Sequence, residues 1–222
     1  MLRIRNMIFY FLFSFWLSGT FTKFYASSIS HDTVSGSFYK CQKGAMSYVV
    51  EKPINQIITY SYDTMIVYYP KRKKAFKIKS QEDVLQKNNS FTDLKSYINN
   101  LRNAGYIFLK KQKKGDTITS YWSHEKQKII LKLAYDQKGR IYEVNVKTEG
   151  GKYLYTMKAE DYITLQDSVF FPKKLITTTQ NDTEIFVFDS ISIVPFDSLP
   201  SFIKNPVIPD NASVQLKGFS EQ

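Results

Sequence analysis

Short segments in which apolar and polar residues alternate follow one another along this chain, separated by only a few turn-forming residues. Alternation with a period of two is typical of β-strands, because successive side chains point to opposite faces of a sheet. The breaks between the segments, such as QKG and PKRKK, are too short for helical crossovers, which indicates antiparallel connections. Pro53 and Pro70 cannot donate a ladder hydrogen bond, so we place both at strand ends. The strands predicted in the first half are 37–41, 45–50, 56–62, 64–69 and 75–79.

The period changes after residue 80, where apolar residues recur at helical spacing. We predict two short helices here, at about 81–88 and 91–103, with Gly105 as the C-cap of the second. Alternation then resumes up to residue 193, with Gly, Asn and Asp in the breaks, as hairpin turns require. The strands predicted in this half are 106–112, 117–123, 128–136, 141–149, 153–163, 170–179 and 183–193.

These segments predict one mainly β domain with a few α-helical turns. A meander of about twelve strands must curl, because a flat open sheet of that size leaves too much apolar surface in water. We therefore expect a large curled antiparallel sheet covered by the short helices. The stretch from about 195 contains four prolines and predicts an extended C-terminal arm along the sheet.

The first 28 residues have the order of a secretory signal peptide. Arg3 and Arg5 precede an apolar run from Met7 to Leu17, and small residues at Ala26 and Ser28 follow. The run is shorter than the roughly 20 residues that a membrane-spanning helix needs, so a permanent anchor is the weaker alternative. Cleavage before Ile29 would lower the formal charge from +11 to +8. This composition favours an exported domain, residues 29–222, that meets anionic lipids or acidic polymers rather than nucleic acid.

The residues that usually carry enzyme chemistry are few. His31 and His124 have no partner at metal-ligand spacing, and Cys41 is the sole cysteine, so no internal disulfide can form. No nucleophile-elbow, phosphate-loop or zinc motif occurs. We predict a protein that is not an enzyme and has no metal or cofactor. The basic segments 71–74, 110–114 and 138–140 fall at or beside predicted turns, where solvated lysine is common.

Several strands are apolar on both faces, among them QIITYSY, TMIVYY and EIFVFDSI. A sheet with one wet face shows cleaner alternation. The pattern leaves two interpretations, an ordinary filled core or a concave apolar face that binds a lipid chain.

Residues 36–78 resemble the opening half of the LolA-like family of periplasmic lipoprotein carriers. The family's pattern has a glycine, an aromatic strand pair, a proline and a hairpin that ends in Tyr-x-Pro. Here Met46 falls at the family's Phe or Leu, Tyr48 at its Trp, Pro53 at the proline, and Asp63 and Pro70 in the hairpin. The segment FFPKKL resembles one found in related lipoprotein-sorting proteins. The family's Arg-Pro falls at Gln42-Lys43, and its long first helix has no counterpart between Ile29 and Gly36.

The resemblance implies an unclosed β-barrel, with helices over its mouth and an apolar hollow for lipoprotein acyl chains. It implies a monomeric carrier in the periplasm that receives cargo from an inner-membrane release complex and passes it to an outer-membrane acceptor. The alternative on the same fold is an envelope module that senses lipids or partner proteins without enzymatic activity.

One face of the early strands supplies the acyl contacts that we predict. The sequence leaves open which alternate set faces inward, because a slip of one residue in register turns every side chain to the other face. The predicted contacts are Met46, Tyr48, Val50, Ile58, Tyr60, Met65, Val67, Tyr69, Phe76 and Ile78. Leu94, Tyr97, Ile98 and Leu101, on the second predicted helix, would form a lid.

Overall fold

The computed structural model describes residues 16–27, 31–41, 46–61, 64–79, 94–165, 169–204, 208–209 and 211–218. Fourteen strands form one sheet in the order β14-β6-β5-β4-β3-β2-β1-β13-β12-β11-β10-β9-β8-β7. The strands are β1 (Trp16–Ser27), β2 (His31–Cys41), β3 (Met46–Lys52), β4 (Gln56–Ser61), β5 (Thr64–Tyr69), β6 (Lys74–Lys79), β7 (Ile107–Lys114), β8 (Thr117–His124), β9 (Ile129–Asp136), β10 (Ile141–Thr148), β11 (Tyr153–Leu165), β12 (Val169–Thr179), β13 (Asp182–Val194) and β14 (Ser213–Gly218). The helices are α1 (Leu94–Asn103) and the single turn α2 (Ser201–Lys204), with 3-10 turns at Pro70–Arg72, Glu125–Gln127 and Phe196–Ser198.

The sheet confirms the predicted fold class. Each strand predicted between residues 37 and 193 is present, and these strands pair antiparallel with one another. Two strands were not predicted, β1 and β14. Of the two predicted helices, the second is observed as α1, and the first, at about 81–88, lies outside the described residues.

Strand β1 lies in the middle of the sheet. It pairs antiparallel with β2 on one side and with β13 on the other, from Trp16 to the end of the strand. Leu17 and Phe21 are buried between these neighbours. The sheet therefore begins before the domain boundary predicted at Ile29, and cleavage at that point would remove a central strand.

The sheet curves strongly toward one face, which carries Phe38, Phe188 and Leu133 and is called the inner face below. Tyr48 on β3 and Phe186 on β13 are three strands apart, about 14 Å in a flat sheet. Their ring centroids are only 6.2 Å apart. A bulge in β13 contributes to the bend: the register with β1 shifts there, and Ser190 has a positive φ of 51°.

Two buried clusters fill the inner face. One is built on β8 to β11 around Leu133, Ile141 and Val144, and α1 packs against it. The other is built on β1 to β3, β12 and β13, where the rings of Phe38 and Phe171 stack and Phe188 meets both edge-on. Leu175 touches both clusters, so the inner face is continuous.

The C-terminal arm packs on the opposite, outer face. Leu199 and Ile203 cover Trp16 and Cys41 there. Further along the chain, β14 pairs parallel with β6 at one edge of the sheet. The segment predicted as an extended arm begins with the 3-10 turn at Phe196–Ser198 and the helical turn α2, and β14 was not predicted. Parallel pairing of segments so distant in sequence leaves no local signal.

Candidate functional site

All ten predicted acyl-contact residues lie on the inner face. The register aligns Met46, Tyr60, Met65 and Ile78 in one row across β3 to β6. The adjacent row contains Tyr48, Ile58, Val67 and Phe76. Directly paired residues point to the same side of a sheet, and Val50 and Tyr69 alternate with these rows. The structure thus resolves the choice of face that the sequence left open; contact with a ligand stays a prediction.

Burial decreases along these rows toward the edge of the sheet. Met46, Tyr48 and Val50 on β3 belong to the buried ring cluster, and Ile58 and Tyr60 on β4 pack against it. On β5 and β6 the aligned residues Met65, Val67, Tyr69, Phe76 and Ile78 are only half-buried. The inner face of β5 and β6 is therefore an apolar surface that the protein's own side chains cover incompletely.

The opposite side of the same strands is mixed, because Ile66 and Tyr68 on β5 lie there together with polar residues. Ser47 and Thr59 are buried there, and the Ser47 hydroxyl donates to the Thr59 hydroxyl at 3.2 Å. Lys77 on this side is exposed. Lys77 and the residue before it on β6 thus lie on opposite faces, and this pair supplies a matched control for a binding test.

The four predicted lid residues are brought together on α1. Leu101 is buried, and Leu94, Tyr97 and Ile98 are half-buried against the cluster of β8 to β11. They pack on the half of the inner face built by later strands, whereas the predicted acyl contacts on β3 and β4 join the other cluster. The structure therefore does not place the lid and acyl residues in one cluster.

A polar group lies on the inner face between the two halves. The Lys23 Nζ is 3.0 Å from the Glu184 carboxylate, and only 14% of the Lys23 side chain is exposed. The same ammonium lies 4.1 Å from the centroid of the Tyr25 ring and 4.7 Å from that of Phe186. Burial, followed by the proximity of Tyr25 and Glu184, raises the pKa of Tyr60 to about 12.

Sequence reasoning missed this polar group because it placed Lys23 in the leader. The segment TFTKFY, residues 20–25, is rich in Thr and aromatic residues, which favour strands, and could have indicated one. The pKa of Tyr155 is also raised to about 12, mainly by burial and in addition by the nearby Glu184. A hydrogen bond with Thr177 lowers this pKa but does not outweigh the effect of burial. These tyrosines are therefore neutral near pH 7, and each packs against one of the two buried clusters.

The other candidate residues serve the fold. The Gln127 backbone N–H donates to His124 Nδ1 at 3.3 Å, so His124 caps a turn. Cys41 is a buried free thiol at the end of β2, as predicted. Within the described ranges, no three His, Cys, Asp or Glu side chains come together as a metal site. None of the described helices is long and apolar enough to cross a membrane.

The basic segments have three different environments. Lys71 to Lys74 are exposed around a 3-10 turn between β5 and β6, which confirms the predicted solvated tip. Residues 110–114 run along β7 rather than forming a turn. Arg140 is not simply solvated, because its Nε donates to Asp136 at 2.6 Å. Prediction of solvated charge was wrong for Arg140, where hairpin geometry brings the partner carboxylate close.

Comparisons with solved structures agree with this architecture, although no family model and no curated protein matches the sequence. A LolA superfamily protein from Nitrosomonas europaea superposes with a TM-score of 0.55 at 12% identity, over 86% of this chain and 90% of the other. A putative outer membrane lipoprotein-sorting protein domain from Vibrio parahaemolyticus gives 0.59 at 13% identity, over 86% and 89%. A DUF1329 family protein from Desulfovibrio piger gives 0.60 at 10% identity, over 86% and 90%. The resemblance inferred from residues 36–78 is confirmed at the level of the fold: this chain has the curled, unclosed sheet of LolA superfamily proteins.

Proposed function

We propose that the inner face of β3 to β6 binds acyl chains, and that the protein carries lipoproteins or similar amphiphiles through the periplasm without covalent chemistry. The observation that carries the proposal is the incomplete cover of the aligned apolar residues on β5 and β6. The names of the structural neighbours, a LolA superfamily protein and a lipoprotein-sorting domain, support the same cargo class.

The energetics of such a surface suit a reversible carrier. Each buried methylene contributes about 0.8 kcal/mol, so about ten methylenes contribute about 8 kcal/mol. That free energy corresponds to a micromolar dissociation constant, and the entropic costs of association weaken it further. Affinity of this order allows loading and release.

Photo-crosslinking tests the face directly. A benzophenone amino acid at Phe76 would lie on the inner face, and the same group at neighbouring Lys77 would lie on the outer face. We expect an acylated peptide to cross-link to the Phe76 variant and not to the Lys77 variant. Equal cross-linking at both positions would contradict binding by the inner face.

Native mass spectrometry of protein purified from its own envelope tests the carrier role. Bound lipid or lipoprotein supports the proposal. A mass of the chain alone, combined with normal lipoprotein sorting after deletion of the gene, would refute it.

A further inference from the structure

Strand β7 forms the end of the sheet opposite to β14. It pairs with β8 along one side, and no described strand pairs with its other side. All eight residues of Ile107–Lys114 are exposed. An unpaired strand edge presents a row of backbone donors and acceptors that can pair with another extended chain.

The side chains of β7 are unusual for a protected edge. Ile107, Phe108 and Leu109 are consecutive large apolar residues, each about half exposed at 50%, 48% and 51%. Four lysines follow, at 110, 111, 113 and 114. Register places Lys111 and Lys113 opposite Ser120 and Ile118 on one face, and Lys110 opposite Tyr121 on the other. The edge thus combines exposed apolar side chains with positive charge on both faces.

A second copy of this chain is a poor occupant. Antiparallel pairing of two β7 strands over their full length would place Lys110 of one copy opposite Lys111 of the other. Like charges directly opposite one another destabilise a strand pair. The positive edge instead fits a strand with carboxylates on both faces.

A lipid bilayer is also a poor occupant. Insertion of this edge into hydrocarbon would remove water from the backbone N–H and C=O groups on its unpaired side and give them no replacement partner. The lysines closest to the β7–β8 turn would enter first, since Lys113 and Lys114 precede that turn. An added strand supplies the missing hydrogen bonds and leaves the lysines at the surface.

We propose that the free edge of β7 binds an extended acidic segment of a partner protein by strand addition. Backbone hydrogen bonds hold the segment along the edge, and its carboxylates pair with Lys110, Lys111, Lys113 and Lys114. This site lies apart from the acyl face of β3 to β6, so it is independent of the cargo proposal.

The test uses a short synthetic peptide of Glu, Val and Thr and measures its binding to the full chain by fluorescence anisotropy. Two control peptides are needed. One has Gln for Glu, and the other has alternate backbone amides N-methylated, which removes hydrogen-bond donors while keeping the charge. We expect binding of the acidic peptide only, weakened by added salt.

Matched variants locate the site on the protein. Lys111→Glu with Lys113→Glu should weaken binding by about tenfold or more, since two cross-strand attractions become repulsions. Lys71→Glu with Arg72→Glu changes the charge equally at another exposed basic segment and should leave binding unchanged. Equal loss in both double variants, or binding of the N-methylated peptide, would overturn strand addition. Binding to anionic phospholipid vesicles but not to the peptide would overturn it in favour of a membrane surface.

Discussion

Removal of β1 is the perturbation for which the structure makes the sharpest prediction. A chain beginning at Ile29 would lack Trp16–Ser27, and β2 and β13 would lose the strand that joins them. The ring cluster would lose Phe21, which meets Tyr48 edge-on at a centroid distance of 5.1 Å. We therefore expect the folded protein to retain β1, and any leader to be removed before Trp16.

The cost of losing β1 follows from three buried side chains. Trp16, Leu17 and Phe21 are 8%, 2% and 4% exposed. Burial of one large apolar side chain contributes about 1.5–3 kcal/mol, so the three contribute about 5–9 kcal/mol. The whole free energy of unfolding of a domain is about 5–15 kcal/mol. Loss of the two hydrogen-bond ladders adds to this cost, so the truncated chain should not fold.

Two measurements test this prediction. N-terminal sequencing of the protein purified from its own cells should find a start at or before Trp16. In urea unfolding, Phe21→Ala should lower the free energy of unfolding by about 3–5 kcal/mol, whereas Phe24→Ala on the same strand, 43% exposed, should change it by under about 0.5 kcal/mol. A chain beginning at Ile29 that unfolds with the midpoint and slope of the longer chain would refute the reasoning.

Two further predictions concern stability. At Gly36 an added Cβ would lie 1.9 Å from the Val49 carbonyl oxygen, so Gly36→Ala should lower the free energy of unfolding in urea by more than the about 1–3 kcal/mol that overpacking usually costs. Gly150→Ala, where the nearest contact of the added Cβ is at 3.7 Å, should be nearly neutral. Equal stability of the two variants would contradict the close approach of β2 and β3. At Asp136, burial opposes ionisation, but hydrogen bonds from Arg140 and Tyr142 outweigh it and hold the pKa of the carboxyl below its ordinary value. Because the pKa of Asp136 is lower in the folded state, its ionised carboxylate stabilises the fold fully above the unfolded pKa of about 3.9, and this stabilisation is lost as pH falls through the folded pKa. Asp136→Asn should lower the free energy of unfolding by about 1–3 kcal/mol at neutral pH and make that free energy depend less on pH in the acidic range. An unchanged dependence on pH in that range would count against this account.

Local pattern determined most of the fold. The alternation in segments such as TMIVYY and the turn residues between them predicted β5 and its neighbours nearly to the residue. The same alternation grouped Met46, Val67 and Phe76 with their aligned partners as one face, because the period of a strand is fixed by backbone geometry. The resemblance at residues 36–78 added the unclosed barrel, which composition alone does not specify.

Longer-range pairing was decided only by the tertiary structure. Strand β1 was not predicted, because its residues directly follow an apolar run and the two together have the composition of a leader. The parallel strand β14 has no hairpin signal, since its partner β6 lies far away in sequence. The positions of α1, of the Lys23–Glu184 pair and of the uncovered edge of β7 depend on how the sheet curves. The alternation of side chains determines which residues share a face of the sheet. Curvature and strand order determine which other residues that face contacts. Both depend on contacts between segments far apart in sequence, so no short stretch of sequence specifies them.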